Sequence, residues 1–153
     1  MADKAQKVTG GCYCGAVRYE ADVFLRSAYH CHCTTCQKAT GQPAEIGVPV
    51  KVGSLRFTKE EPQYFTSSDW AKRGFCKQCG SRLVFMPLTT DNEWLVNLAV
   101  CSLDNPAEAR PSMHIYEDSR LPWYKIDDGL PRLRSEELDD LLPVWKEERL
   151  KEG

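Results

Sequence analysis

Long apolar runs are missing from this 153-residue sequence, and their absence excludes whole classes of protein. No stretch approaches the roughly 18 consecutive apolar residues that a membrane-spanning helix requires. The opening residues, MADKAQKVTGG, lack the apolar segment of a secretory signal peptide. The length is that of one domain. We therefore expect a protein that does not enter a membrane and that lies in the cytoplasm, or alternatively in a nucleus or organelle reached by a signal that the pattern does not reveal.

Clustered positive charge is also missing. The 20 Lys and Arg residues are scattered among 22 Asp and Glu residues, and no basic run is longer than Lys72–Arg73. Proteins that bind nucleic acid without sequence preference use clustered Lys and Arg to neutralise phosphates. The sequence therefore predicts no nucleic-acid partner.

Long helical patterns are scarce before residue 134, and short alternating segments take their place. Residues 16–23, AVRYEADV, alternate apolar and polar side chains as a half-buried strand does. Further short candidate strands, separated by Gly, Pro, Asn, Asp and Ser, lie at 27–31, 44–50, 54–58, 63–66, 72–75, 82–88, 93–100 and 113–116. Many short strands punctuated in this way predict a mainly β domain with antiparallel sheets.

The C-terminal segment has a different pattern and predicts helix. Ser135 is the expected N-cap, and the acidic residues that follow it suit the positive end of the helix dipole. Pro143 is expected to end this helix, because proline lacks an N–H and clashes with the preceding turn. A second short helix is predicted over 144–151. The apolar side chains of this tail, expected to dock on the sheet or on a second subunit, are Leu138, Leu141, Leu142 and Trp145.

Cysteine is abundant, with eight residues. In a secreted chain they would suggest four disulfides, whereas in a reducing compartment the pattern first indicates metal binding. Sorted by spacing, they are the CxC pair Cys12 and Cys14, the CxCxxC triplet Cys31, Cys33 and Cys36, the CxxC pair Cys76 and Cys79, and the single Cys101.

The two pairs predict one closed zinc site. Short spacings let two thiolates on one turn face a single ion, and the neighbouring glycines give the backbone freedom that such turns need. These glycines are Gly10, Gly11, Gly15 and Gly80. Four thiolates leave no open position on the ion, so this site is expected to be structural.

The triplet predicts a second and different zinc site. A catalytic zinc typically has three protein ligands and one position free for water or substrate. Three thiolates leave the centre with a net charge of −1, which disfavours water activation. Such a centre is better suited to hold an incoming thiol as the thiolate.

Other interpretations of the cysteines remain open at this point. Disulfides are one, and a redox-active pair at Cys76 and Cys79 is another. The triplet is alternatively a closed site completed by one further ligand, for which the candidates are Cys101, His30, His32 and His114. Cys101 follows an apolar segment and is alternatively a small buried hydrophobe. We expect His32 to point away from the metal and His30 to be a strand residue.

Four segments together resemble a known family. GGCYCGAVRY, CHCTTCQKATG, RGFCKQCGSRL and HIYEDSRLPWYKIDDGLP, spread over residues 8–131, resemble the glutathione-dependent formaldehyde-activating enzymes and the related centromere protein V domain. The resemblance implies an Mss4-like (β-tent) fold of antiparallel sheets around zinc over residues 8–133. The segment after Leu133 falls outside the pattern and is the C-terminal helical extension, 134–153, that the tail's own sequence predicts. It also implies a carbon–sulfur lyase that condenses formaldehyde with glutathione to S-hydroxymethylglutathione.

The resemblance assigns two zinc ions per chain. It places a structural zinc on Cys12, Cys14, Cys76 and Cys79, and a labile or catalytic zinc on Cys31, Cys33 and Cys36. Cys101 is not required by the pattern. The alternative hypothesis is a non-catalytic, zinc-stabilised module that binds proteins or acts as a chaperone.

Residues that would bind a small thiol such as glutathione are less clearly marked. The cations available for its carboxylates are Lys38, Arg73, Arg82 and Arg120, and each is alternatively a surface residue. The aromatic residues available for a pocket wall are Trp70, Trp123 and Tyr124, and each alternatively packs in the core or at its rim.

Overall fold

The computed structural model describes residues 3–151, and these residues form two β-sheets flanked by two α-helices and several short 3₁₀ turns. The strands of the described chain are β1 Gln6–Gly11, β2 Arg18–Val23, β3 Ala28–Cys31, β4 Glu45–Pro49, β5 Arg56–Phe57, β6 Gln63–Thr66, β7 Ala71–Phe75, β8 Arg82–Pro87, β9 Asn97–Ala99, β10 Pro111–Ile115 and β11 Arg132–Leu133. The helices are α1 Thr34–Thr40 and α2 Ser135–Lys151.

The smaller sheet has the strand order β1-β2-β5, and the larger has the order β11-β10-β3-β4-β9-β8-β7-β6. In the larger sheet β10 runs parallel to β3 and to β11, and the other ladders of both sheets are antiparallel. The predicted fold class, mainly β with a helical C-terminal tail, is confirmed.

The core lies between the sheets because each strand buries alternate side chains. In β2 the buried residues are Tyr19, Ala21 and Val23, as the alternation of AVRYEADV predicts. They pack in one cluster with Val48 and Leu98 of the larger sheet. Full burial of a Val or Leu side chain stabilises a fold by roughly 1.5–3 kcal/mol.

Three strand assignments differ from the sequence prediction. The segment 93–100 is strand only over Asn97–Ala99, because Thr90–Leu95 forms 3₁₀ turns that bury Trp94. The Thr-Asp-Asn residues at its start favour turns over strand. Strands β1 and β11 were not predicted. They are sheet edges with mostly polar or half-buried side chains, so they lack the apolar alternation that marks β2.

The tail forms one continuous helix, so the predicted break at Pro143 is wrong. Helix α2 passes through Pro143 to Lys151. Proline removes the hydrogen bond to the carbonyl of Asp139, and both residues are exposed, which leaves that carbonyl to water. The tail docks on its own chain, where Leu138 is 3% exposed. Within residues 3–151, no helix combines the length and apolar character needed to cross a bilayer.

The start of α2 also differs from the prediction. Ser135 is the first helical residue, and its hydroxyl donates to Asp118 Oδ2 (2.8 Å) instead of accepting from the helix backbone. The Ser135 backbone N–H donates to Asp118 Oδ1 (2.9 Å). Asp118, which lies in a 3₁₀ turn after β10, therefore caps the helix, a role that a carboxylate fills well at a helix N-terminus.

Candidate metal centres

The two cysteine pairs converge on one point between the sheets. Cys12 and Cys14 lie in the turn from β1 to β2, and Cys76 and Cys79 lie in the turn from β7 to β8. Their four sulfur atoms all lie within 4.8 Å of one another, with Cys14 Sγ 3.6 Å from Cys12 Sγ and 3.7 Å from Cys76 Sγ. Four sulfurs around a tetrahedral zinc lie about 3.8 Å apart, so this group, called the tetrad below, fits such an ion.

The turns that carry the tetrad depend on glycine and on local hydrogen bonds. Gly15 and Gly80 follow their cysteines with φ of 82° and 78°, in the left-handed region that side-chain-bearing residues avoid. Hydrogen bonds from the hydroxyl and backbone of Ser81 lower the pKa of Cys79 to about 5. These hydrogen bonds favour the thiolate at Cys79, which is the form that binds metal.

Cys31, Cys33 and Cys36, the triplet, lie together where β3 leads into α1. Cys31 Sγ is 3.4 Å from Cys33 Sγ and 3.3 Å from Cys36 Sγ. A disulfide bond measures about 2.05 Å, so these sulfurs are not bonded to each other. Cys33 is the N-cap of α1, and its sulfur accepts the backbone N–H of Cys36 at 3.3 Å.

Helix α1 was not predicted, although the sequence carries one signal for it. Gly41 ends the helix with φ of 68°, and its N–H donates to the carbonyl of Gln37 (2.9 Å). Glycine in this position is a common helix terminator. The preceding seven residues are too few to show helical periodicity, so the sequence marks this segment only as a ligand motif.

The three sulfurs of the triplet cannot all hold negative charge on their own. Hydrogen bonds from Cys31 and Cys36 lower the pKa of Cys33 to about 2. Hydrogen bonding to Cys33 and Cys36, together with burial, raises the pKa of Cys31 well above its usual range. Like charges this close require a cation to ionise together, which is what a metal ion supplies.

No fourth ligand completes the triplet among residues 3–151. No further Cys, His, Asp or Glu joins its sulfurs within 4.8 Å. Cys101 is exposed in a 3₁₀ turn, so the interpretation of it as a buried hydrophobe is wrong. The triplet itself is no more open than the tetrad: Cys31 and Cys36 are buried, whereas Cys14 of the tetrad is exposed. The triplet therefore differs from the tetrad in having three sulfur atoms instead of four, and it is the less exposed of the two groups.

The histidines form a chain of their own beside the triplet. His32 Nε2 lies 2.8 Å from His114 Nδ1, and His114 Nε2 lies 2.8 Å from Asp128 Oδ2. His30, in β3 as predicted, stacks on His114 with ring centroids 4.3 Å apart. Both ring nitrogens of His114 therefore have partners. The contact with His114 fixes the side chain of His32, whose sequence neighbours are Cys31 and Cys33. The prediction that His32 points away from the sulfurs is confirmed.

Two of the candidate substrate cations are internal. Arg73 is 3% exposed, and its Nη1 lies 2.9 Å from Glu45 Oε2. Arg82 Nη2 lies 2.8 Å from Glu45 Oε1. Neither is the surface residue that the sequence suggested, and the pattern gave no sign of Glu45. Of the other two candidates, Arg120 pairs with Glu117 (2.8 Å) and Lys38 is exposed on α1.

The candidate pocket aromatics divide in a similar way. Trp123 is 74% exposed, and Trp70 is 49% exposed with its ring edge against Phe85. Tyr124 is half-buried, with its ring centroid 6.1 Å from that of His32. Of these three aromatic residues, Tyr124 is the one whose ring lies near a residue of the CxCxxC segment, at an interplanar angle of 52°.

The tail helix forms one wall of the triplet. Leu138 of α2 is buried in the same apolar cluster as Cys31 and Cys36, and Trp145 packs against that cluster. Tyr116 packs there too, with φ of 55°, a left-handed conformation that is uncommon for a residue other than glycine. Sequence reasoning missed Tyr116, because nothing in the pattern marks its backbone conformation.

Comparison with known proteins agrees with this geometry. The profile of the family described as glutathione-dependent formaldehyde-activating enzyme matches residues 7–119. An uncharacterized lyase of Schizosaccharomyces pombe is 30% identical over 88 residues, which cover 58% of this chain and 64% of that protein. The matched part of the chain thus covers less than two thirds of that relative's length.

A crystal structure of a Rhodobacter sphaeroides protein has a similar fold. It superposes with a TM-score of 0.52 at 21% identity, covering 81% of this chain and 98% of that one. The family profile spans more than half of the chain and contains all seven cysteines of the tetrad and the triplet. The chain belongs to the family of glutathione-dependent formaldehyde-activating enzymes.

Proposed function

We propose that this protein is a zinc-dependent carbon–sulfur lyase acting on the adduct of a small thiol, glutathione first, with an aldehyde such as formaldehyde. The observation that carries the proposal is the unequal number of ligands in the two cysteine groups. Four sulfurs close a tetrahedral ion, and three leave one position for a substrate sulfur. Family membership supports glutathione as the thiol.

The residues present suit two zinc ions with different roles. Cys12, Cys14, Cys76 and Cys79 would hold the structural ion, and Cys31, Cys33 and Cys36 would hold the second. When bound at the triplet, zinc supplies a cation that favours the thiolate form of an incoming thiol at neutral pH. Cysteine thiols and glutathione both stay reduced in the cytoplasm, so we place the protein there.

The chemistry is the making or breaking of one carbon–sulfur bond. In the forward direction the thiolate sulfur attacks the carbonyl carbon, and the electron pair of the C=O double bond moves to oxygen. That oxygen takes up the proton that the thiol lost, which completes the S-hydroxymethyl product. The reverse direction breaks the same bond and returns the aldehyde.

Tyr116 is our candidate donor to the substrate oxygen. It packs against the triplet cluster. Burial and the nearby cysteines raise the pKa of its hydroxyl. The hydroxyl therefore keeps its proton at neutral pH and is able to donate a hydrogen bond where negative charge develops. Lys38, exposed two residues after Cys36, is our candidate for a carboxylate of the thiol.

An exchange assay tests the proposal. Full-length zinc-loaded protein is mixed with glutathione and ¹³C-labelled formaldehyde, and NMR exchange spectroscopy measures how fast the free and S-hydroxymethyl forms interconvert. We expect the wild type and the control Cys101→Ser to accelerate exchange, and Cys33→Ser to lose both the acceleration and the second zinc.

Two results would contradict the proposal. One is full activity of Cys33→Ser. The other is a zinc-loaded wild type that accelerates no exchange with glutathione and a series of small aldehydes while both zinc ions resist chelation. That second result would favour the non-catalytic protein-binding module.

A further inference from the structure

Charged side chains are built into the larger sheet directly beside the triplet. The register of β3 and β4 pairs Cys31 with Glu45, which places the carboxylate next to the first sulfur ligand. Arg73 of β7 and Arg82 of β8 reach this carboxylate from across the sheet. The side chains of Arg73, Glu45 and Arg82 are 4%, 13% and 14% exposed. Buried charges are costly unless they are paired, so the burial of three charged side chains beside the triplet suggests a role at that site.

One positive charge in this group has no carboxylate of its own. Glu45 Oε2 accepts a hydrogen bond from Arg73 Nη1, and Arg82 Nη2 forms an ion pair with Glu45 Oε1 at 2.8 Å, so a single negative charge lies between two guanidinium groups. The free end of Arg73 points to the triplet, with Nη2 3.6 Å from Cys36 Sγ. The ring of Phe85, 5.1 Å from the guanidinium carbon, covers Arg73 and fixes its orientation.

The charges balance when the triplet holds a divalent ion. Three thiolates around one divalent cation carry a net charge of −1, and Glu45 adds another −1. Arg73 and Arg82 together supply +2, and the buried group becomes neutral. Arg73 is the member that contacts both Glu45 and a sulfur of the triplet.

We infer that Arg73 is a positioning residue for the second metal centre, holding the Cys36 sulfur and offsetting the net charge of the three-thiolate site. The inference rests on the proposed function, because it assigns the triplet to a metal ion. A planar guanidinium suits this task, since its N–H groups reach a carboxylate oxygen and a sulfur at the same time. Outer partners of metal ligands commonly change affinity by about 10–100-fold when removed.

The test measures how tightly each zinc is held, without any activity assay. Full-length protein loaded with zinc is titrated with chromophoric chelators of increasing affinity, for the wild type and for variants at two positions. In Arg73→Met we expect the weaker zinc to lose about tenfold or more in affinity, with the tetrad zinc unchanged. Arg73→Lys keeps the positive charge but loses the planar guanidinium group, so we expect a smaller loss of zinc affinity than in Arg73→Met.

Glu45→Gln provides a test of opposite sign. Removing the carboxylate leaves the positive charges of Arg73 and Arg82 without a counter-charge other than the triplet, so we expect zinc to be held at least as tightly as in the wild type. Arg56→Met is the matched control, because Arg56 forms an exposed ion pair with Glu20 in the smaller sheet. We expect Arg56→Met to change neither zinc.

Three outcomes would overturn the inference. One is wild-type affinity of the weaker zinc in Arg73→Met. Another is an equal loss in Arg73→Met and Glu45→Gln, which a role in packing alone would produce. The third is loss of both zinc ions together in Arg73→Met and Arg73→Lys. A wild type with no weaker zinc instead overturns the proposed function and this inference together, so the two failures are distinguishable.

Discussion

Single residues around the triplet differ in what they can contribute. The ring of Tyr116 contacts the cluster that contains Cys31 and Cys36, and its hydroxyl retains a proton at neutral pH. Arg73 contacts a sulfur but is enclosed by protein, so it acts on the ligand and not on the substrate. Tyr116 is therefore the side chain whose change should affect turnover without affecting metal binding.

The variant Tyr116→Phe tests this assignment. It removes the hydroxyl and keeps the ring, so the packing against the triplet is preserved. We expect exchange of glutathione and formaldehyde to slow by about tenfold or more, with zinc content unchanged. Tyr13→Phe is the control, because Tyr13 is 95% exposed. Equal exchange rates in Tyr116→Phe and the wild type would show that the Tyr116 hydroxyl takes no part in the mechanism.

A second prediction at this scale concerns Asp104, which joins β1 and β2. It accepts hydrogen bonds from Arg18 Nη1 (2.8 Å) and Thr9 Oγ1 (2.6 Å), and the Arg18 bond is the main reason that its pKa falls to about 2. Because the folded pKa is depressed, the contribution to stability is full above the unfolded value of about 3.9. It is lost as the pH falls towards 2.

For Asp104→Asn we expect a loss of about 0.5–1 kcal/mol in the free energy of unfolding at pH 7, since both side chains are partly exposed and screened by solvent. The difference from the wild type should shrink at pH 3. Urea unfolding of both proteins at each pH measures it. A difference that stays constant between pH 7 and pH 3 would contradict the ion-pair explanation.

The grouping of the cysteines could largely be predicted from spacing, whereas the surroundings of each group could not. The grouping of Cys12 and Cys14 with Cys76 and Cys79 follows from the way short spacings present two sulfurs to one ion. Nothing local marks Glu45, because it reaches the triplet only through the pairing of β3 with β4. Outer partners depend on sheet register, which the sequence pattern leaves open.

Helix α2 packs beside the triplet, although it lies beyond the residues that the family profile matches. It is held at its start by Asp118 and near its end by Arg149, whose Nη1 donates to the Trp94 carbonyl (3.0 Å). Between these contacts, Leu138 and Trp145 cover the cluster that contains Cys31 and Cys36. We therefore expect the helix to affect metal binding at the triplet as well as stability.

The variant Leu138→Ala tests this role. A cavity at a buried leucine typically lowers the free energy of unfolding by about 2–5 kcal/mol. Because the cavity borders Cys31 and Cys36, we also expect the triplet zinc to exchange faster with a chelator. Val144→Ala, at an exposed position of the same helix, is the control. If Leu138→Ala is clearly destabilised but its zinc exchange is unchanged, α2 does not affect the metal site.

Predictability at the element scale followed the strength of the periodic pattern. Strand β2 is recognisable because its apolar and polar residues alternate strictly, which matches its alternating burial. The helical tail is recognisable from its length and its acidic start. The predicted break at Pro143 is wrong because Pro143 and Asp139 are both exposed, so water satisfies the carbonyl that proline leaves unbonded, and buried Leu138 holds the helix on the sheet. Helix α1 is too short for any period to appear.

At the scale of the whole molecule, the tetrad ties the two sheets together. One of its pairs follows β1 of the smaller sheet, and the other joins β7 to β8 of the larger. The triplet lies on the larger sheet, under α2. The class of fold followed from strand count and turn residues, but the division into two sheets depends on long-range pairing that composition does not encode. The domain limits of 8–133 and 134–153 stay a prediction, and the last two residues of the extension lie outside the described chain.

X-ray absorption at the zinc edge of the two-zinc protein tests the division into four and three sulfurs most directly. We expect an average of about 3.5 sulfur ligands per zinc, with a lighter atom completing the second site. Addition of glutathione should raise the average to about 4. An average of four sulfurs before any thiol is added, or no change on addition of glutathione, would contradict the open triplet on which the enzymatic proposal rests.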